Sequence, residues 1–114
     1  MQTTVITIPT SDIADRDMFH TVFEETLGFP GYYGRNMNAW IDCMTCADDP
    51  DSGMIASAVN NGELLTLRIP DAPAFRKRCP EQYEALIECK AFVNYRRVEE
   101  GIGAVLSLLI EGYF

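Results

Sequence analysis

The sequence of 114 residues is poor in basic side chains and in histidine. It has nine Lys and Arg against 17 Asp and Glu, a net charge of −8, and one histidine. Binding to nucleic-acid phosphates needs a concentration of basic side chains, so this deficit argues against a nucleic-acid partner. A Ser-His or Cys-His pair would have to recruit His20, which lies in the apolar stripe of a predicted helix. We therefore expect a binding protein and no enzyme.

Long apolar runs are also missing, which argues against a membrane protein. No segment approaches the roughly 18 apolar residues that a transmembrane helix needs. The first residues, Met1-Gln-Thr-Thr4, have neither the basic nor the apolar part of a secretory signal. We expect a cytoplasmic protein that forms a single domain over residues 1–114.

The four cysteines do not have the spacing of a four-ligand metal site. Cys43 and Cys46 form a C-x-x-C motif, which elsewhere serves metal or redox chemistry. A zinc site would need a second pair of ligands, and Cys79 and Cys89 are ten residues apart. We expect free thiols with no metal or cofactor, and keep a metal or redox protein as an alternative.

Acidic and basic residues are unevenly distributed along the chain. Residues 36–67 contain no Lys or Arg, yet they include several carboxylates: Asp42, Asp48, Asp49, Asp51 and Glu63. This asymmetry predicts a negative face, which suits a cationic partner. An ordinary solvated surface is the other interpretation.

Hydrophobic periodicity predicts an α/β fold. Strands separated by helical crossovers pair in parallel, so we expect a three-stranded parallel sheet flanked by helices in the order β-α-α-β-α-α-β. The run at 104–110 is nearly all apolar, which predicts a strand that is covered on both faces. The predicted strands are 3–9, 63–69 and 104–110, and the predicted helices are 12–27, 36–47, 54–59 (short), 72–76 (a turn) and 80–98.

The helix at 36–47 has two distinct sides. At 100° per residue its large apolar groups, Met37, Trp40, Ile41 and Met44, fall on one side. The opposite side carries Asn38, Asp42, Thr45 and Cys46. The helix should therefore expose short polar groups and a single acid.

The segment containing this helix resembles the barstar family of ribonuclease inhibitors. It reads Leu27-Gly-Phe-Pro-Gly-Tyr-Tyr-Gly-Arg-Asn-Met-Asn-Ala-Trp-Ile-Asp-Cys-Met-Thr45. The matching features are the proline and Tyr-Tyr-Gly after a helix, then Asn36, the pair Asp42-Cys43, and Thr45. His20 in the preceding helix also fits the family pattern.

The resemblance implies an inhibitor whose helix and preceding tyrosines plug the active site of a basic ribonuclease or nuclease toxin, in a 1:1 complex. As such an inhibitor, this chain would be an antitoxin or immunity protein. The alternative is an acidic interaction module with this fold but no nuclease target. The implied contact residues are Tyr32, Gly34, Asn36, Asn38, Asp42 and Thr45. The small Cys46 beside them should let a partner approach closely, and the charge distribution adds Asp48, Asp49 and Asp51 as an acidic rim.

Two positions depart from the family pattern. Asn38 stands where the best-known inhibitor of the family has a second acid. Alignment on Gly101 places Arg96 where the family has an acid on its last long helix, with Glu99 and Glu100 nearby. These changes leave the expected fold intact and alter the charge of the expected contact surface.

Overall fold

Three parallel strands form the sheet in this computed structural model, which describes residues 3–113. They are β1 (Thr3–Thr7), β2 (Leu64–Ile69) and β3 (Leu106–Ile110), in the spatial order β1-β2-β3. In the register, Thr66 of β2 lies between Val5 and Ser107. The predicted three-stranded parallel sheet is confirmed.

Four helices connect the strands in the predicted order. They are α1 (Arg16–Leu27), α2 (Met37–Thr45), α3 (Ala72–Arg78) and α4 (Pro80–Glu99), with short 3₁₀ turns at Thr10–Asp12 and Pro50–Ser52. Helix α1 begins later than predicted because Asp15 caps it, its carboxylate accepting from the Met18 N–H at 2.8 Å. None of the helices within residues 3–113 has the length and hydrophobicity to cross a bilayer.

The prediction of a short helix at 54–59 is wrong, because N–H groups of this segment donate to the end of α1. The N–H groups of Ala56 and Ser57 donate to the Leu27 carbonyl at 3.0 and 3.1 Å. Within α1 no N–H group donates to that carbonyl, as is usual for carbonyls in the last turn of a helix. Gly28 follows with φ +71°, and a Cβ there would lie 2.4 Å from the Ala56 Cβ.

The core lies on one face of the sheet. Leu65, Leu67 and Ile69 of β2 are buried, while the alternating residues of the strand are half-exposed. The prediction that β3 is covered on both faces is wrong: Leu109 is 43% exposed. It lies beside Arg68 on the second face of the sheet, which is partly open to solvent.

A buried ion pair joins α4 to the chain beyond α2. Arg97 Nη1 and Nη2 donate to the two carboxylate oxygens of Asp48 at 3.0 and 2.9 Å. Arg97 also donates to the carbonyls of Thr45 and Gly103, both at 2.9 Å, and the Gly62 N–H donates to Asp48. This network fixes the end of α2, the following loop and the turn before β3 onto one point of α4.

A second anchor holds the segment between α1 and α2, residues 28–36, which we call the tyrosine loop. His20 Nδ1 lies 2.6 Å from the Tyr33 hydroxyl, and both side chains are buried. Arg35, at φ 55°, donates to Asp17 and Glu24 of α1 at 2.9 and 3.1 Å. The tyrosine loop is therefore fixed against α1 at two places.

Breaking the buried ion pair should strongly destabilise the protein. Asp48→Ala leaves the buried Arg97 guanidinium without its counter-charge, which we expect to lower the free energy of unfolding by about 3–5 kcal/mol. Urea denaturation measures this. The exposed acid Asp51 supplies the matched control, since Asp51→Ala should change stability by about 0.5 kcal/mol or less. Equal losses of stability in the two variants would show that the pair of Asp48 and Arg97 does not stabilise the fold.

The His20 anchor predicts a pH-dependent stability. Burial, with smaller effects from Arg16 and Arg35, lowers the pKa of His20 from 6.5 to about 4. Between these values the unfolded chain takes up a proton that the folded chain does not, so stability falls as the pH falls. This shift corresponds to a loss of about 3 kcal/mol across that window.

The comparison of wild type with His20→Gln isolates this contribution from that of the carboxylates. We expect wild type to lose more stability than His20→Gln when urea denaturation at pH 7 is compared with pH 4.5. An identical loss in both proteins would show that His20 is not the responsible group.

Candidate functional site

Helix α2 presents a short polar face on the side away from the core. Trp40 and Met44 are fully buried, whereas Asn38 and Asp42 are exposed. Asn36 starts the helix: its Oδ1 accepts from the Ala39 N–H at 2.8 Å and its Nδ2 donates to the Gly34 carbonyl at 3.2 Å. The two-sided character predicted for this helix is confirmed, and Asn36 also has a structural role as its N-cap.

Thr45 and Cys46, which were also expected on the outer side, are only partly accessible. Both are of intermediate exposure at the end of α2. The Thr45 hydroxyl donates to the Ile41 carbonyl at 2.7 Å, so its proton is already engaged. The Thr45 hydroxyl oxygen therefore remains available only as a hydrogen-bond acceptor.

The tyrosine loop and α2 enclose a small groove of about 140 Å³. Tyr32, Gly34 and Asp42 line it together, so the structure brings three of the expected contact residues to one place. Tyr32 is 76% exposed, and its hydroxyl donates to Met54 Sδ at 3.4 Å. Tyr33, its neighbour, is buried in the anchor with His20.

A larger concavity of about 740 Å³ lies beyond the end of α2. Its lining includes Thr45, Cys46 and the exposed acids Asp49 and Asp51. Asp48 also borders it, but only 4% of this residue is exposed, because its carboxylate neutralises Arg97. The expectation that Asp48 belongs to an exposed acidic rim is therefore wrong; Asp49 and Asp51 are at the surface.

Arg96 of α4 lies beside Asp42, a contact that the sequence analysis did not anticipate. Its Nη1 is 3.6 Å from Asp42 Oδ1, and its Cζ is 5.8 Å from the centroid of the Phe92 ring. One observation in the sequence pointed to this position: alignment on Gly101 places Arg96 where the family has an acid. The position therefore carries a cation paired with Asp42 rather than a second carboxylate.

The thiols of the C-x-x-C motif are in a poor environment for metal or redox chemistry. Burial raises the pKa of Cys43 to about 11 and also raises that of Cys46, so both are protonated at neutral pH. Within the described range, residues 3–113, no three His, Cys, Asp or Glu side chains are placed to hold a metal ion. The geometry thus gives this alternative no support.

Comparison with known families agrees with this arrangement. The chain matches the barstar family, described as barnase inhibitor, over residues 3–107. In a comparison with curated proteins, no sequence matches this chain. The matched range contains all four helices, the tyrosine loop and both concavities. Since the match extends over nearly the whole chain, this protein belongs to the barstar family.

Proposed function

We propose that this chain inhibits a ribonuclease by covering its active site with the tyrosine loop and α2. In the cell it would act as an intracellular inhibitor or as the immunity protein of a nuclease toxin. The observation that carries the proposal is the Asp42 carboxylate, 62% exposed on a fixed helix, in one groove with the exposed Tyr32. The family assignment supports it.

The chemistry of a ribonuclease active site suits such a carboxylate. An enzyme that stabilises a reacting phosphate needs cationic and hydrogen-bonding groups around it. A carboxylate in that pocket accepts charge-assisted hydrogen bonds from the same groups. Asp42 would thus replace the phosphate without offering a bond to cleave.

Rigidity of the proposed contact surface favours tight binding. Asn36 caps the first turn of α2, and Arg97 holds the Thr45 carbonyl in the last turn. The tyrosine loop is fixed by Tyr33 and Arg35. Little conformational entropy remains to be lost when a partner binds, and Tyr32 adds a large contact area with few rotatable bonds.

The charge of the protein should accelerate association. A net charge of −8, with Asp49 and Asp51 exposed beside α2, attracts a basic enzyme over distances up to the Debye length. The association rate should therefore fall as salt is added, while the dissociation rate depends mainly on groups in contact.

The first test neutralises Asp42 without changing its shape. Asp42→Asn should weaken inhibition of the target by about 100-fold or more, because a cationic site loses its counter-charge. RNA hydrolysis by a panel of small basic ribonucleases that includes barnase provides the assay. Glu84→Gln on α4 is the control: it removes the same charge from another exposed position and should change inhibition by less than about threefold.

Two results would overturn the proposal. One is the absence of inhibition of every enzyme in the panel by wild type at micromolar concentrations. The other is inhibition that Asp42→Asn and Glu84→Gln reduce equally, which would place the contact surface elsewhere.

A second test separates the ring of Tyr32 from its hydroxyl. Tyr32→Ala should weaken inhibition by about 10- to 100-fold because a central aromatic contact is lost. Tyr32→Phe should have a small effect, since the hydroxyl donates only to the Met54 sulfur. Inhibition constants for both variants against the same ribonuclease check this. Unchanged inhibition by Tyr32→Ala would remove the tyrosine loop from the contact surface.

A further inference from the structure

Two opposite charges lie side by side on the proposed contact surface, on different helices. Asp42 of α2 and Arg96 of α4 are 3.6 Å apart, and their side chains are 62% and 39% exposed. At this separation the field of one charge largely cancels that of the other for a distant partner. A partner in contact, however, meets each charge separately.

Both side chains retain most of their binding capacity. The 3.6 Å separation is longer than a hydrogen bond, and neither side chain has a hydrogen bond to any residue in the range 3–113. The guanidinium has five N–H donors, and the carboxylate can accept about four hydrogen bonds. A partner that covers this surface must therefore satisfy both groups or leave them desolvated.

Arg96 is held in place before any partner arrives. The next residue, Arg97, is fixed by hydrogen bonds to Asp48, Thr45 and Gly103, which immobilises the backbone of this turn of α4. The Phe92 ring, one turn earlier on the same helix, supports the guanidinium. The Arg96 guanidinium thus extends from a fixed turn of α4 and lies between the Phe92 ring and the Asp42 carboxylate.

We propose that the target of this chain presents an acidic side chain to Arg96 next to the basic group that receives Asp42. This inference rests on the proposed function and specifies the chemistry of its partner. The four charges would then alternate in sign across the interface, so that each is paired both within its own protein and with the partner.

A uniformly basic target surface fits this site less well. It would pair with Asp42 but would place a second cation against Arg96, and like charges in contact at a desolvated interface strongly disfavour binding. Arg96 consequently selects among ribonucleases that all offer a cationic active site. It acts as a specificity determinant.

The experiment reverses the charge of Arg96 and then that of its proposed partner. The probe is the ribonuclease of the panel above that wild type inhibits most tightly. Arg96→Glu should weaken inhibition at least 100-fold and Arg96→Gln about tenfold. Lys77→Glu is the matched control, because it makes the same charge change at an exposed position on α3 and should cost less than about threefold.

A compensating charge reversal on the enzyme shows whether Arg96 contacts the target directly or only positions Asp42. Each Asp and Glu around the active site of the ribonuclease is changed to Lys in turn, and the dissociation constant of each variant with Arg96→Glu is measured by calorimetry, which does not require an active enzyme. One of these reversals should recover at least tenfold of the lost affinity. Denaturation of Arg96→Glu should show nearly wild-type stability, since the pair with Asp42 is exposed to solvent.

Three results would overturn the inference while inhibition by wild type still stands. They are tighter or unchanged inhibition by Arg96→Glu, a loss no larger than that of Lys77→Glu, and a loss that no reversal on the enzyme rescues. If wild type inhibits no ribonuclease in the panel, the proposed function fails and this inference fails with it.

Discussion

The buried ion pair between Arg97 and Asp48 is the interaction on which the geometry of the proposed contact surface depends. A guanidinium removed from water must have its charge neutralised and its donors engaged, or the cost of desolvation is large. Here its acceptors come from three segments: the last turn of α2, the loop after it and the turn before β3. These segments must converge on one point of α4. The angle and position of α2 follow from that requirement together with the packing of Trp40 and Met44 in the core.

Adjacent residues of α4 divide the two tasks of the helix. Arg97 points inward and fixes α2, whereas Arg96, about 100° around the helix, reaches the surface and contacts Asp42. The stability of the fold and the charge pattern of the proposed contact surface therefore depend on neighbouring side chains of one type. Tyr32 and Tyr33 repeat this division in the tyrosine loop: one ring is exposed in the groove, and the other is buried against His20.

Much of the architecture could be predicted because local patterns determine it. The apolar stripe of α2, the proline and glycine after α1 and the β-branched residues of β1 each specify their element without reference to distant residues. The same reasoning placed Asn38 and Asp42 outside, as the structure has them. It was wrong where the local pattern was ambiguous. Met54–Val59 is not helical, since the N–H groups of Ala56 and Ser57 donate to the Leu27 carbonyl and that of Val59 donates to the Ala47 carbonyl. Strand β3 is apolar although part of it faces solvent.

By itself, the sequence determined the order of the elements and the outward face of α2, since each follows from residues close together in the chain. It also determined the membership of the barstar family, through a match over residues 3–107. Tertiary structure alone decided which acids are exposed at the surface. Asp48, Asp49 and Asp51 are equivalent as a sequence pattern, yet Asp48 is buried because Arg97 of a distant helix needs a counter-charge. The pairing of Asp42 with Arg96 likewise exists only once α2 packs on α4. Charges act through space, so their partners depend on packing that no local pattern records.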